Sequence, residues 1–442
     1  MLPALSNTWG LADCCQSGSL TGVEGGLVNR RRLLVLYGPL LTLMLGHFTN
    51  DLIGGVLPIL VPRAKEAFSL SNAEVGLIVL AYTSAASLSQ PLFGYICDRF
   101  PRRWFAPVAL VWGGTFAAGW ALAPTYETLI ALAFLAGIGS GAYHPFGATN
   151  AAGVTPKAKR TTALSVYTFG GSFGFGLGPV VAAILMAVGG DYGLLALIFP
   201  ATIVAILIYR QMGHVAEAQR TVSIASGTIE QSGEPTPWAL LARVILIVML
   251  RSWVVLSVFQ FLPTWFDDLG YSTTFYATLT TVAILSGALG TLVGGLFVDR
   301  IGARRLLVGS FSLLVIPLVL LTQFPGPQAF AFAIAFGFLG DAGLAVPLAA
   351  AQRLLPGRTG VASGLILGLG FITGGIGVPV TGLIADQVGI PTALLLVAPL
   401  TLIGSAIALG LPGKILVHTE PVVRVEASEV ATPRVEPSGA RR

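Results

Sequence analysis

The 442-residue sequence is strongly apolar, with 54% hydrophobic residues, only 10% charged residues and a net charge of +5. Soluble domains carry about 25% charged residues, so this composition excludes a chain built only of soluble domains and indicates a protein embedded in a lipid bilayer. The 55 glycines and 27 prolines agree with this interpretation, because both residues are commoner in membrane helices than in soluble ones.

Apolar stretches follow one another along the chain, and each is long enough to cross the hydrocarbon core, which takes about 20 helical residues. The first six predicted segments lie near residues 33–60, 73–97, 104–123, 126–150, 161–188 and 190–212. Six more lie near residues 238–267, 273–298, 304–324, 328–353, 359–386 and 390–412. The sequence therefore predicts an all-α membrane protein with twelve transmembrane helices.

Polar stretches divide these segments into two six-helix halves. We predict a disordered N-terminal segment at 1–32, six-helix bundles at 33–212 and 238–412, a linker at 213–237 and a disordered tail at 413–442. The linker is rich in Ser, Gln, Glu and Gly, a composition that favours a solvated connection over a packed element.

Positive charges are distributed unevenly among the predicted loops, and short loops rich in Lys and Arg stay cytoplasmic. With both termini inside, the inner loops hold Arg99, Arg102, Arg103, Lys157, Lys159, Arg160, Arg210, Arg220, Arg300, Arg304, Arg305 and Arg358. The outer loops hold only Arg63 and Lys65. We therefore predict cytoplasmic termini in a multi-pass protein of the cell membrane, the inner membrane of a bacterium. The basic charge then reflects topology, not nucleic-acid binding.

The two halves share sequence features at a common spacing of 200 or 201 residues. A Gly-x-x-x-Asp-Arg pattern follows both the second and the eighth segment. The matched pairs are Gly94 with Gly295, Asp98 with Asp299, Arg99 with Arg300, Gly137 with Gly337, and Pro179 with Pro379. Several matches at one spacing indicate an internal duplication, which many transporters contain.

The Gly-x-x-x-Asp-Arg pattern resembles the signature of the major facilitator superfamily, and the resemblance covers residues 33–412. It implies the major facilitator fold, in which the two six-helix halves are pseudo-symmetric. The glycine is expected to permit close helix packing, and the arginines hold the loop inside. The residues that we assign to this conformational motif, together with the Gly-Pro pair of the fifth segment, are Gly94, Asp98, Arg99, Arg102, Gly295, Asp299, Arg300, Gly178 and Pro179.

Four stretches in the first half are similar to the fosmidomycin resistance group of this superfamily. They are residues 46–51, 87–94, 137–145 and 169–171, the last followed by the Gly-Pro pair at 178–179. This resemblance implies an exporter of small compounds that include a phosphonate drug.

Five ionisable side chains lie well inside predicted segments, where a central charge costs roughly 2.5–3.5 kcal/mol to insert. They are His47 and Asp51 in segment 1, His144 in segment 4, Arg251 in segment 7 and Asp341 in segment 10. In the superfamily, helices 1, 4, 7 and 10 line the central cavity. The resemblance therefore places all five side chains on the substrate path.

His47 and Asp51 are four residues apart and can share one helical face with Asn50. A carboxyl beside an imidazole suits proton coupling, because the charge of each group responds to the other. The alternative is a static hydrogen-bonded pair that specifies packing.

His144 precedes Pro145 and could relay protons, gate the path or contact substrate. The alternative is an interior histidine whose hydrogen bonds are satisfied within the protein and which has no functional role.

Arg251 is always charged, so within the bilayer it needs an anion. That anion could be Asp341, in a structural pair, or an anionic substrate. We assign Asp341 to proton coupling together with Asp51, His47 and His144. The residues that we assign to substrate binding are Arg251, Asn50, Gln90, Tyr143, Tyr167 and Gln260.

The sequence contains no phosphate-binding Gly-x-x-x-x-Gly-Lys loop and no metal-ligand spacing. We therefore expect neither an enzyme nor a primary pump, and no cofactor or bound metal. We expect a monomeric secondary active transporter that works by alternating access and exports small, anionic compounds such as phosphonates in exchange for protons. The alternatives are a lipid or metabolite carrier of the same fold, and a non-transporting membrane sensor or scaffold.

Overall fold

A computed structural model describes residues 24–99, 103–154, 160–211, 237–355 and 359–416. These ranges do not include residues 1–23, Arg102 or most of the predicted linker and tail. The disorder predicted for those segments therefore lies outside the described residues. For Asp98, Arg99 and Asp299 of the conformational motif, the structure describes the helical backbone.

The described part of the chain is helical, and its helices lie in two groups along the sequence, before and after the predicted linker. The first half consists of α1 (Glu24–Gly55), α2 (Leu57–Phe68), α3 (Asn72–Arg99), α4 (Phe105–Ala118), α5 (Tyr126–Gly153), α6 (Arg160–Gly189) and α7 (Ile198–Gln211). The second half consists of α8 (Trp238–Asp268), α9 (Thr273–Ile301), α10 (Ala303–Leu313), α11 (Val315–Gln323), α12 (Ala329–Ala342), α13 (Ala345–Leu354), α14 (Thr359–Val388), α15 (Ile390–Val397), α16 (Pro399–Leu409) and α17 (Gly413–Leu416).

Eleven stretches among the described residues are long and apolar enough to cross a membrane. One of them, Val166–Gln211, has 46 residues, and as a single helix it would be about 69 Å long, twice the roughly 30 Å of the hydrocarbon core. It contains a chain reversal. A Cβ at Gly193 would overlap the carbonyl oxygen of Leu185, although residues eight apart in one straight helix are about 12 Å apart. This stretch therefore consists of two helices, α6 and α7, joined by a 3-10 helix.

Helices extend into parts of both end segments. The backbone of helix α1 begins at Glu24, nine residues before the predicted span. The start of the predicted tail forms α17. Leu416 is buried there, and the Arg353 Nη1 donates a hydrogen bond to the carbonyl oxygen of Ile415. The apolar and hydrogen-bonding contacts that fix this turn are distant in sequence.

The repeated glycines Gly137 and Gly337 occupy equivalent close contacts in the two halves. A Cβ at Gly137 in α5 would overlap the carbonyl oxygen of Tyr82 in α3. A Cβ at Gly337 in α12 would overlap the carbonyl oxygen of Ala283 in α9. Small residues let membrane helices approach at backbone distance, so the duplicated sequence feature corresponds to a duplicated helix contact.

The motif glycines Gly94 and Gly295 do not have the role that we predicted. A Cβ at Gly94 would lie 3.9 Å from the Pro145 Cβ, an ordinary contact, and a Cβ at Gly295 would have no atom within 4 Å. Close packing in this conformation therefore does not require either glycine. Gly178, in contrast, lies at a close contact, because a Cβ there would overlap the backbone of Gly55.

Two of the helix pairs along which the halves meet are related by the internal repeat, and α2 also packs against α8. Helix α3 packs against α14, and α6 packs against α9. In the first pair, a Cβ at Gly76 would overlap the backbone of Pro379. In the second pair, the Val180 N donates a hydrogen bond of 3.2 Å to the Thr281 Oγ1. Pro179 and Pro379 thus lie at corresponding places in the two interfaces.

Polar contacts also join the halves at the end of the bundle that the charge distribution predicts to be outside, which we call the outer end. The Lys65 Nζ lies 2.9 Å from the Asp268 Oδ2. The Asp386 carboxylate accepts hydrogen bonds of 2.7 and 3.1 Å from the backbone N–H groups of Asn72 and Ala73, in the first turn of α3. A carboxylate at a helix N-terminus is favourable, so these contacts hold the outer end together in this conformation.

We predict that Gly137→Val and Gly337→Val each lower the free energy of unfolding by about 1–3 kcal/mol, the usual cost of overpacking a tight contact. Thermal unfolding of the purified protein in detergent would measure the loss. The control is Gly309→Ala in α10, where a Cβ meets open space, so stability should stay the same or rise slightly. A Gly137→Val variant as stable as the wild type would contradict the assigned contact.

Candidate functional site

Three of the five predicted intramembrane ionisable groups form one cluster. His47 and Asp51 of α1 are linked by a 3.2 Å contact between Nε2 and Oδ2. His144 of α5 brings its Nε2 to 3.6 Å from the Asp51 Oδ1. The carboxylate of Asp51 therefore lies between two imidazole rings contributed by two helices. We call His47, Asp51 and His144 the proton cluster.

The contacts of His47 fix the position of its protons. The Nδ1 lies 2.8 Å from the backbone carbonyl oxygen of Tyr167. A carbonyl oxygen only accepts hydrogen bonds, so Nδ1 must carry a hydrogen. The ring also stacks on Tyr167, with centroids 4.1 Å apart, and meets His144 edge-on at 5.1 Å. These contacts hold the remaining nitrogen, Nε2, against Asp51.

A hydrogen is therefore required between the His47 Nε2 and the Asp51 Oδ2. A lone pair on Nε2 facing an ionised carboxylate would be repelled, whereas a hydrogen on either atom makes the 3.2 Å contact a hydrogen bond. The 3.2 Å contact, read as a hydrogen bond, therefore requires one hydrogen shared by the pair.

Asn50 and Ser140 extend the cluster, and sequence reasoning missed Ser140. The Asn50 Nδ2 donates to the Asp51 Oδ1 at 2.9 Å and to the Ser140 Oγ at 3.2 Å. The Ser140 Oγ lies 3.5 Å from the His144 Nε2. Ser140 precedes His144 by four residues and so shares its helical face, which is the sequence signal that could have identified it.

Gly171 of α6 was also missed as a part of the site. A Cβ there would lie 2.5 Å from the Asp51 Oδ2 and from the His47 Nε2, so a side chain at this position would displace the pair. Asp51 and His144 keep 21% and 29% of their side-chain surface exposed, against 9% for His47. The cluster therefore reaches open space on the side of Asp51 and His144.

The proton cluster also has the composition of a metal site, which we did not predict. One ligand-type atom from each of its three residues lies within 4.8 Å of the others. Two imidazole nitrogens and a carboxylate oxygen suit divalent transition metals. The hydrogen bond from Nδ1 of His47 to a carbonyl is the support that metal-binding histidines usually have.

The second half contains a separate ionic pair. Arg251 of α8 forms an ion pair with Asp341 of α12, and its Nε donates to the carbonyl oxygen of Gly340 at 2.6 Å. Asp341 also lies against Gly287 of α9, where a Cβ would meet its Oδ2. Arg251 is almost fully buried, whereas 20% of the Asp341 side chain is exposed. The predicted partner of Arg251 is thus present within the protein.

The neutral residues that we assigned to substrate binding differ in their access to open space. Tyr143 is fully buried and donates to the carbonyl oxygen of Leu43, so in this conformation it supports the first-half core. Gln90 is partly exposed. Tyr167 and Gln260 are buried, and within the described part of the chain the Tyr167 OH and Gln260 Oε1 have no hydrogen-bond partner. Both atoms are thus unpaired but closed off from open space in this conformation.

Comparison with known proteins identifies the family to which the chain is related. The chain matches the Major Facilitator Superfamily at residues 43–287 and 244–435. It is 29% identical over 387 residues to the fosmidomycin resistance protein of Escherichia coli (strain K12), an alignment that covers 86% of this chain and 95% of that protein. It is 30% identical over 389 residues to an uncharacterized MFS-type transporter of Bacillus subtilis (strain 168), covering 84% of this chain and 91% of that one.

Two solved structures share the fold. A bacterial homolog of the human lysosomal transporter Spinster, in an inward-facing and unoccupied conformation, has a TM-score of 0.71 at 15% identity, covering 86% of this chain and 98% of that chain. A D-xylose-proton symporter has a TM-score of 0.69 at 17% identity, covering 84% and 97%. The predicted resemblance is therefore confirmed by sequence, and the helical fold by structure.

We predict that Arg251→Met and Asp341→Leu each lower the stability by about 3–5 kcal/mol, because each leaves one buried charge without its partner. The double variant should recover most of this loss, since no unpaired charge remains. Thermal unfolding of the four proteins in detergent would measure the coupling. Strictly additive losses would show that the two side chains do not stabilise each other.

Proposed function

The chain belongs to the major facilitator superfamily, a family of transporters, and from this premise we propose that it is a proton-coupled exporter of small, anionic compounds. It would work by alternating access, with the two halves rocking about a central site. The observation that supports the proposal is the 3.2 Å contact between the His47 Nε2 and the Asp51 Oδ2 within a candidate membrane span, where a proton shared by the two groups would be exchanged during transport.

We propose twelve membrane crossings with both termini in the cytoplasm, in the inner membrane of a bacterium. The count is supported by the chain reversal within Val166–Gln211, which divides one of the eleven candidate stretches into two helices. The orientation is supported by the concentration of Lys and Arg in the loops at one end of the bundle.

Proton transfer would take place at the proton cluster. Asp51 is in contact with both histidines and retains exposure to open space, so it is our main candidate for proton exchange with water. His47 holds the shared proton, and His144 is close enough to receive a proton through small movements. Asp341 remains a prediction as a further proton site, because its carboxylate is engaged by Arg251.

Substrate charge would be handled in the second half. The pair of Arg251 and Asp341 is neutral overall, so an anionic substrate has to compete with Asp341 for the guanidinium. The exposed part of the pair belongs to Asp341, which indicates the side from which a substrate would approach. The choice of a phosphonate is supported by the similarity to the fosmidomycin resistance protein. A planar guanidinium binds such oxyanions through paired hydrogen bonds.

We predict that a pH gradient across sealed everted membrane vesicles drives uptake of labelled fosmidomycin by the wild type. Uptake by Asp51→Asn should fall at least tenfold, because an amide cannot exchange the proton. Exchange of labelled for unlabelled substrate without a gradient should persist in this variant, since alternation of the halves does not need net proton movement.

The matched control is Glu127→Gln, which neutralises a carboxylate at the start of α5, the helix that carries His144. This variant should transport like the wild type. Full gradient-driven uptake by Asp51→Asn would remove Asp51 from the proposed role, and loss of both uptake and exchange would indicate a defect in folding or binding instead.

We predict that the double variant Asp268→Asn and Asp386→Asn shifts the protein toward an outward-open state. The first change weakens the contact with Lys65, and the second weakens the bonds to the α3 N-terminus. Distances between spin labels at the outer end, measured across the two halves, should show a longer population than in the wild type. An unchanged distance distribution would contradict the assigned role of these contacts.

A further inference from the structure

An apolar groove lies on the surface between α4 and α7, away from the helices through which the halves meet. Its volume is about 570 Å³. Its walls include Pro107, Val111, Trp112, Phe116, Ile206 and Tyr209. The Trp112 Nε1 donates a hydrogen bond of 2.8 Å to the carbonyl oxygen of Leu135 in α5. That bond satisfies the indole's donor, so the remaining ring surface on the groove wall is purely apolar.

The length of the groove corresponds to one leaflet of the bilayer. Along α4 it extends from Pro107 to Phe116, nine residues or about 14 Å at the helical rise. The hydrocarbon core of a bilayer is about 30 Å thick, so one leaflet measures about half of that. The groove begins near the end of the bundle that we predict to be cytoplasmic, and it therefore faces the acyl chains of the inner leaflet.

Two arginines are close to the predicted cytoplasmic end of the groove, Arg103 through its contact with the wall residue Tyr209 and Arg210 as the next residue of α7. The Arg103 Nη2 donates to the Tyr209 OH at 3.0 Å, and its guanidinium lies 4.4 Å from the centre of the Tyr209 ring. Arg210 follows Tyr209 in the last turn of α7 and is exposed. Among the side chains that the structure describes, neither arginine is paired with a carboxylate. Most N–H donors of Arg103 thus remain available to an anion.

We propose that this groove binds an anionic phospholipid, with an acyl chain between α4 and α7 and the phosphate on Arg103 and Arg210. The charge at the mouth is complementary to a lipid phosphate, and guanidinium groups bind phosphate oxygens in pairs. Basic pockets between membrane helices on the cytoplasmic side suit such headgroups. The site is independent of the proton cluster and of the proposed transport activity.

A second copy of the chain fits this face less well. A symmetric dimer would place the same patch of each copy against the other, and the arginines at the two groove mouths would then share one contact region without a described carboxylate to separate them. Like charges in contact oppose association. An anionic lipid supplies negative charge at the groove mouth. Charge complementarity therefore favours a lipid over a second copy of the chain.

The test is native mass spectrometry of the full-length protein, delipidated in detergent and titrated with phosphatidylglycerol or phosphatidylcholine of identical acyl chains. The wild type should prefer phosphatidylglycerol, by about fivefold for each arginine. Arg103→Gln with Arg210→Gln should abolish this preference. Tyr209→Phe, which removes the hydroxyl that positions Arg103, should reduce it in part. Soluble glycerol phosphate at the same concentration should not compete.

Two further variants separate the parts of the site. Arg305→Gln replaces an exposed arginine in the first turn of α10, at the matching end of the second half, and should leave the preference within twofold of the wild type. Thr115→Phe, on the exposed groove wall, should weaken binding of both lipids. The proposal is wrong if the double arginine variant keeps its preference, if glycerol phosphate displaces the lipid, or if Thr115→Phe dissociates a dimer without changing lipid binding.

Discussion

One shared proton, between the His47 Nε2 and the Asp51 Oδ2, is the interaction on which the rest of this site depends. The carbonyl oxygen of Tyr167 accepts the hydrogen bond from the His47 Nδ1. The hydrogen bond between the His47 Nε2 and the Asp51 Oδ2 therefore requires a second hydrogen. Gly171 leaves the space that the pair fills, and Asn50 connects Asp51 to α5 through Ser140. These contacts join α1 to α5 and α6, and in the proposed mechanism protonation of the pair is linked to this packing.

The two halves repeat their scaffold but not their polar side chains. The glycines at 137 and 337 make equivalent helix contacts. The internal repeat also relates the contact of α3 with α14 to the contact of α9 with α6. The first half contains two histidines in contact with a carboxylate. The second half contains a guanidinium that is already neutralised by Asp341. In the proposed mechanism, protons and substrate charge are handled at these two different places, and one rocking movement exposes both.

Sequence reasoning identified the elements of the site whose spacing is local. The interval of four between His47 and Asp51 predicts a shared helical face, and the cost of an unpaired charge in lipid predicts a partner for Arg251. Ser140 and Gly171 were missed, because a serine and a glycine in a helix carry no chemical signal until the neighbouring helices are positioned. The glycine of the repeated motif was assigned to close packing from residue type alone, and Gly94 and Gly295 have room for a side chain. The local sequence pattern also could not predict helix ends that are fixed by contacts distant in sequence, such as α17.

The most direct test of the central claim is proton movement driven by substrate alone. A phosphonate gradient is imposed across sealed vesicles that contain a trapped pH indicator, with equal pH on both sides. Protons should move against the direction of the substrate, Asp51→Asn should abolish that movement, and Glu127→Gln should preserve it. Undiminished proton movement in Asp51→Asn, or movement of protons together with the substrate in the wild type, would contradict the account.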